Sequence, residues 1–306
     1  MKKQILEILR QAQGIVSGET LSARLGISRV SIWKHIKKLQ ELGYNFESTP
    51  KGYRLGGEPD IPYPWELPGF EDRIHYLEET VSTMDTARDL ARRGCPDFTA
   101  VVAGRQTGGR GRLKRCWDSQ TGGLYFTLVI RPEIPPTWSY RYTFAASLVL
   151  ARTIRRMLDI KVDVKWPNDL LVDEKKVSGM LSEMEAEADR VAFISIGLGL
   201  NVNNAIAADV PNAVSLQQVA GKAISRKKLL GAFLDNYREH ISTGSLESVV
   251  AEWKKYTVTL GRAVTIETPG ETIQGTAVDV DAGGGLIVRL DSGEEKTVVY
   301  GDCFHR

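Results

Sequence analysis

The stretch Gly104–Trp117, GRQTGGRGRLKRCW, follows neither the helical nor the strand hydrophobic period. Strand-like runs flank it at Ala100–Ala103 and Leu124–Ile130, so it reads as a loop between strands of a sheet. Gly108, Gly109 and Gly111 can take positive φ and bring backbone N–H groups close to an anion. Arg110, Arg112 and Arg115 add planar guanidinium forks suited to phosphate or carboxylate. The expectation is a mobile loop that closes over an anionic ligand. The alternative is an RG-rich nucleic-acid tail, but such tails repeat and this run occurs once.

Upstream, Ile5, Leu6, Ile8 and Leu9 mark an amphipathic helix ending near Gln13-Gly14, and a second helix runs from Gly18 to Gly26. Ser28 caps a third, with Val30, Ile32, Trp33, Ile36 and Leu39 as its apolar stripe. The short turn between the last two is a helix-turn-helix signature. Arg29, Ser31, Lys34, His35, Lys37 and Lys38 lie outside the stripe, as a DNA-reading helix requires. A hairpin turns at Thr49-Pro50-Lys51-Gly52, which makes the unit a winged helix with Lys51 on its wing. A three-helix protein-docking module is the other reading. Residues 1–57 carry ten Lys/Arg against four Glu, net +6, whereas the whole chain is +2 and the remainder therefore −4. That asymmetry favours nucleic acid at the head. Pro59, Pro62, Pro64 and Pro68 then suggest a semi-rigid linker over 58–70.

A chain of 306 residues with 42% hydrophobic and 25% charged content is long enough for two or three globular domains. No apolar run approaches a membrane span, and Met1-Lys2-Lys3 does not open a signal peptide. Cys95, Cys116 and Cys303 lack zinc or disulfide spacing and suit a reducing cytoplasm.

In the body, residues 71–256, a strand at Arg73–Leu77 leads to Ser82, which reads as the cap of a helix closed by Gly94. A long apolar helix spans Tyr142–Leu158. Val162–Lys165 then runs into Trp166-Pro167, and the forced break delivers Lys165, Asn168 and Asp169 at a strand end. Leu170–Val172 and Lys175–Met184 read as a hairpin, Val191–Leu200 as an apolar strand, Asn212–Lys222 as a loop, and Ser225–Ile241 and Leu246–Lys255 as helices. From 257 to 306, four short alternating strands suggest a small β-barrel.

GRQTGGRGR, KWPNDLL, KKVSGMLSE and GLGLNVN, in this order behind a winged helix, resemble the biotin protein ligases of the bifunctional kind that also repress biotin operons. The resemblance covers essentially the whole chain. It implies an α+β fold: a winged helix-turn-helix, a mixed-sheet catalytic domain of the biotin/lipoate ligase type, and an SH3-like barrel. It also implies that biotin and MgATP give biotinyl-5′-AMP, from which the biotinyl group passes to a lysine of a biotin carboxyl carrier protein. Arg112 and Lys176 match the residues that neutralise the reacting anions, and Asp169 the carboxylate that holds Mg²⁺ or the reactants. Ser82, Thr83, Gln106 and Arg110 match positions that grip biotin's ureido ring and carboxylate, Gly179 leaves room for the ligand and Asn201 matches the residue that reads adenine; Met84, Gly109, Gly111, Trp117, Lys165 and Asn168 are expected to complete the surroundings of biotin and nucleotide. Gly301-Asp302 and Arg306 resemble the barrel's ATP-facing end. The family further implies operator DNA as partner, biotinyl-5′-AMP as corepressor and a ligand-promoted homodimer. Leu113-Lys114 before Arg115, and Met84 after Thr83, depart from the family pattern. A non-catalytic biotin-sensing repressor, a lipoate ligase, and a ligase whose winged helix is only structural remain as alternatives.

Overall fold

Ser17 and Ser28 open the two helices of the turn motif in the computed structural model, which describes residues 1–12, 14–207, 210, 212–244 and 246–305. Gln13 and Arg306, named above, lie outside the described residues. The chain divides into two compact units, residues 1–71 and 72–306.

In the first unit, α1 (Lys2–Gln11) buries Ile5, Leu6 and Leu9. The Ser17 hydroxyl accepts from the Thr20 amide at 3.0 Å to start α2 (Gly18–Leu25), and Gly26 ends it at φ 65°, a conformation glycine adopts without strain. Ser28 accepts from the Ser31 amide at 3.2 Å to start α3 (Arg29–Glu41). Ile32, Ile36 and Leu39 form the buried face of α3. Val30 and Trp33, expected beside them, are 62% and 49% exposed. At about 100° per residue, Val30 lies opposite the buried row and Trp33 at its flank, so helical spacing alone misassigned both. β1 (Asn45–Thr49) and β2 (Gly52–Gly57) form the wing. The proline-rich segment is not a free spacer. Tyr63 and Leu67 are buried, the Tyr63 hydroxyl donates to the Leu42 carbonyl at 3.1 Å, and Arg10 donates to Glu58 and Glu66 at 2.7 Å. Apolar side chains placed among the prolines fold the segment onto the head as a strap.

The second unit is built on a seven-stranded sheet. Its strands are β3 (Ile74–Thr80), β4 (Thr99–Gln106), β5 (Leu124–Ile130), β6 (Asp163–Lys165), β7 (Asp169–Val172), β8 (Lys175–Glu187) and β9 (Arg190–Leu200). The spatial order is β3-β4-β5-β9-β8-β7-β6, antiparallel except for the β3–β4 pair. Every residue of β5 is buried, the mark of a strand covered on both faces. Thr127 and Val129 face α4 (Thr83–Arg92), whose Ala87 and Ala91 pack on Val129. Phe126 faces the other way, its ring 5.5 Å from that of Phe233. Phe233 belongs to α7 (Arg226–Ser242), which packs with α5 (Tyr140–Leu158) where Tyr237 donates to the Tyr142 carbonyl. Residues 212–222 contain more than a loop: a reciprocal Ser215–Gln218 capping box starts α6 (Leu216–Ala220). α8 (Val249–Lys254) leads to the last sheet.

That sheet has five strands where four were expected: β10 (Ala263–Glu267), β11 (Thr272–Val280), β12 (Leu286–Arg289), β13 (Glu295–Val298) and β14 (Asp302–His305), ordered β13-β12-β11-β10-β14. The additional strand, β14, pairs with β10 over four residues. Among the described residues no helix is long and apolar enough to cross a membrane.

Candidate active site

Three glycines make a floor on the α4 face of the sheet. Gly197 is the register partner of Thr127, and Gly199 pairs with both Tyr125 and Gly179. A Cβ on Gly197 would meet Met84 Sδ at 2.6 Å, and one on Gly199 would meet the Trp117 indole at 2.5 Å. Met84 and Trp117 thus lie in the hollow the missing side chains leave. The departure at Met84 is accommodated by Gly197. Gly179 lies beside Trp117 and the Lys176 side chain, both within 3.2 Å of where its Cβ would be, and a side chain there would crowd the cavity that it lines.

Above the floor is a cavity of about 580 Å³. Arg112 and Lys176, read as the charge-neutralising pair, both line it, together with Ser82, Thr83, Met84, Gln106, Arg110, Gly111, Trp117, Lys165, Asn168, Asp169 and Gly179. Gly109 and Asn201 line a neighbouring cavity of about 550 Å³ instead, which shares Gln106, Trp117 and Lys176 with the first.

One wall is neutral and hydrogen-bonded along its length. Thr127 donates to the Thr83 hydroxyl at 2.8 Å, which donates to Gln106 Oε1 at 3.1 Å; Gln106 Nε2 donates to Ser119 Oγ at 2.8 Å. The Thr83 amide also donates to Gln106 Oε1, at 2.8 Å. Ser82 sits at the N-cap position of α4 but makes no capping bond; its hydroxyl is buried without a partner among the described residues. The expected cap is replaced because Gln106, 23 residues away, takes the first helical amide. Thr127 and Ser119 were missed in the sequence, where one reads as an ordinary strand residue and the other as a loop hydroxyl.

The opposite wall is charged. The β6–β7 turn and β8 place Lys176 Nζ 2.7 Å from Asp169 Oδ1 and 5.4 Å from the Trp117 ring centre. Asn168 is buried and donates to the Met180 carbonyl, leaving Oδ1 to accept from Arg112 at 3.2 Å. Arg112 therefore meets a neutral group. Burial pulls its pKa down from the ordinary range, offset by the charges of Asp302 and Asp169. Arg110 is held otherwise, 3.1 Å from Asp85 and 3.0 Å from Glu183. It pins the foot of the loop to α4 and β8. Arg115 reaches Asp302 of β14 at 2.5 Å, so the barrel grips the loop's far side. None of Gly108, Gly109 and Gly111 has positive φ; the left-handed residue of the loop is Leu113 at φ 49°. Gly109 is required for close approach instead, since a Cβ there would lie 2.4 Å from the Trp117 carbonyl oxygen. Asn201 accepts from Asn204 Nδ2 at 3.0 Å and shapes the turn after β9.

Among the described residues no cluster of three His, Cys, Asp or Glu side chains could hold a metal ion. The single carboxylate of Asp169 fits a Mg²⁺ that arrives on phosphates and keeps most of its own water, and would not fit a resident metal cage.

A cavity that sets Arg112, Lys165 and Lys176 against a neutral hydrogen-bonding wall is suited to a ligand with both anionic and uncharged polar parts. Residues 76–201 match the biotin/lipoate A/B protein ligase family, residues 259–306 the biotin protein ligase C-terminal domain, and residues 2–54 a helix-turn-helix domain. The chain belongs to the bifunctional ligase/repressor branch of that family. It is 35% identical to the bifunctional ligase/repressor BirA of Bacillus subtilis (strain 168), over 97% of this chain and 96% of that one. With the protein of the same name from Escherichia coli (strain K12) it shares 30% identity, over 90% and 88%. The biotin protein ligase of Aquifex aeolicus, solved in complex with biotin and ATP, superposes with a TM-score of 0.65 at 30% identity, covering 76% of this chain and 98% of that one.

Proposed function

We propose that this cavity joins the carboxylate of biotin to the α-phosphate of ATP, and that the biotinyl group of the resulting biotinyl-5′-AMP passes to a lysine of a biotin carboxyl carrier protein. The observation that carries the reading is Arg112, a partly buried guanidinium bonded to neutral Asn168 and opening into the same cavity as Lys176. A carboxylate oxygen attacks the α-phosphorus, the bond to the β-phosphate oxygen breaks, and pyrophosphate leaves with the electron pair. Both reactants are anions, so the chain's contribution is countercharge: Arg112 from the loop and Lys176 from β8. Lys176 is held ready by Asp169, and phosphate competes for it. Mg²⁺ on the nucleotide would neutralise further charge, with Asp169 as its protein carboxylate. In the second step the carrier amine attacks the biotinyl carbonyl carbon, the bond to AMP breaks, and the nitrogen loses a proton.

The neutral wall supports biotin over lipoate. An uncharged ureido ring offers N–H and C=O groups to Ser82, whereas a dithiolane would leave that buried hydroxyl unsatisfied at about 1–3 kcal/mol. In the head, Arg29, Lys34, Lys37, Lys38 and Lys51 are exposed and Ser31 and His35 are also on α3, which supports binding of operator DNA. Biotinyl-5′-AMP acts as corepressor there, a homodimer spans two half-sites, and the protein works in the cytoplasm. Incubating the chain with biotin, MgATP and a carrier domain tests the ligase reading. Biotin on the carrier lysine, undiminished by excess lipoate, is expected. An unmodified carrier would refute it.

A further inference from the structure

We infer that Val30 and Trp33 are sequence-reading residues of the DNA-binding head, and that they recognise thymine methyl groups in the major groove. The inference rests on the operator-binding reading above and deepens it. α3 leaves two large apolar side chains in water, Val30 at 62% and Trp33 at 49% exposure, while its buried face is completed by Ile32, Ile36 and Leu39. Neither is needed to close the core. Both lie in the first half of α3, the part of a recognition helix that meets base edges.

At about 100° per residue, Val30 and Lys34 point almost directly away from the buried row Ile32, Ile36 and Leu39, with Lys37 between Val30 and Trp33 on one side and Lys38 on the other. The face thus sets two apolar side chains among three lysines. Lys37 Nζ lies 5.7 Å from the Trp33 ring centre, and Lys34, Lys37 and Lys38 are all exposed. That arrangement complements one surface in particular: a groove with phosphates on both rims and methyl groups on its floor. Lysines on the rims position the helix, and apolar side chains contact the one apolar group that base edges present. A protein partner would need an apolar surface ringed by acid. A second copy of this face carries the same lysines and repels its like.

The test begins by selecting duplexes from a random library with the full chain, biotin and MgATP. Each thymine of the enriched duplex is then replaced singly by uracil, which removes only the methyl group. At one or two thymines per half-site, affinity is expected to fall roughly fourfold, the worth of one buried methyl carbon. Trp33→Ala or Val30→Ala should weaken the thymine duplex by several-fold to tenfold and become indifferent to uracil at one of those positions. Lys34→Ala should instead weaken all duplexes alike and reduce the salt slope. Circular dichroism and ligase activity check that the variants fold. If nothing is enriched, the operator reading fails and this inference with it. If a duplex is enriched but the uracil scan is flat, or Trp33→Ala keeps the wild-type uracil profile, this inference alone is overturned. It is overturned equally if Trp33→Ala alters self-association and leaves DNA affinity intact.

Discussion

Gly199→Ala probes the floor of the cavity most sharply. The added Cβ would lie 2.5 Å from Trp117 Cε2 and Nε1, where ordinary contact is 3.4–4 Å. The indole must therefore retreat by about 1 Å. Its backbone resists, because the Trp117 amide donates to the Gly109 carbonyl at 2.9 Å and its carbonyl accepts from Ser119 Oγ at 3.1 Å. Overpacking of this kind costs about 1–3 kcal/mol. Trp117→Ala alone loses the contacts of a partly exposed ring, about 1–2 kcal/mol. In the double variant the new methyl enters vacated space, so its cost should equal that of Trp117→Ala alone, a coupling of about 1–3 kcal/mol. Urea unfolding of the four full-length proteins, following the transition of the catalytic unit, measures this. Gly197→Ala is an internal control: its clash is with Met84 Sδ, and a thioether with three rotatable bonds can swing aside for less than about 1 kcal/mol. If the penalties at 199 and 117 add to within about 0.5 kcal/mol, Trp117 does not rest on that glycine and the packing of the floor is refuted.

Thr127→Val removes the buried donor to Thr83 and should cost about 1 kcal/mol of stability while raising the KM for biotin several-fold at unchanged kcat; an unchanged KM would remove Thr83 from the biotin wall. His305 is half-buried, and that desolvation, with the charges of Lys165 and Arg262 beside it, pushes its pKa down to about 4 from about 6.5. Between those values the unfolded chain takes up a proton that the folded chain refuses, so stability falls as pH drops from about 6.5 to about 4 and levels off below. Discounted for remaining solvent contact, the loss should be about 1–2 kcal/mol. Comparing thermal unfolding of wild type and His305→Gln across that window isolates it, and parallel curves would contradict it. Arg115→Ala cuts the tie to Asp302; its side chain is 56% exposed, so Tm should hardly move. Limited proteolysis within residues 107–117 should nonetheless accelerate, and equal cleavage would show that the barrel does not hold the loop.

Much of this arrangement could be read from local pattern. Ser28 and Gly26 marked the turn motif because capping and left-handed glycine are local effects. The strand, proline and strand at 162–172 likewise placed Asn168 and Asp169 together, since proline acts on its immediate neighbours. What escaped were long-range partners. Helical spacing put Val30 and Trp33 in the core because the periodicity of three stripe residues admits neighbours that the fold leaves outside. Four prolines hid the apolar residues that strap 58–71 to the head. Ser82 looked like a cap until Gln106 arrived from another strand, and Arg110 looked free until Asp85 and Glu183 came to it from α4 and β8. Glycine-rich sequence suggested positive φ in the loop, whereas Gly109 is required by close packing against Trp117.

Release of pyrophosphate on mixing the chain with biotin and MgATP, in the absence of carrier protein, addresses the shared cavity of Arg112 and Lys176 most directly. One cation about 4 Å from an oxyanion at an effective dielectric of about 20 contributes up to about 4 kcal/mol, or roughly a thousandfold in rate. The account predicts a rapid burst of one equivalent per chain, slowed by roughly a hundred- to a thousandfold in Arg112→Ala and in Lys176→Ala, with carrier biotinylation lost in parallel. A burst of undiminished rate in either variant would contradict it.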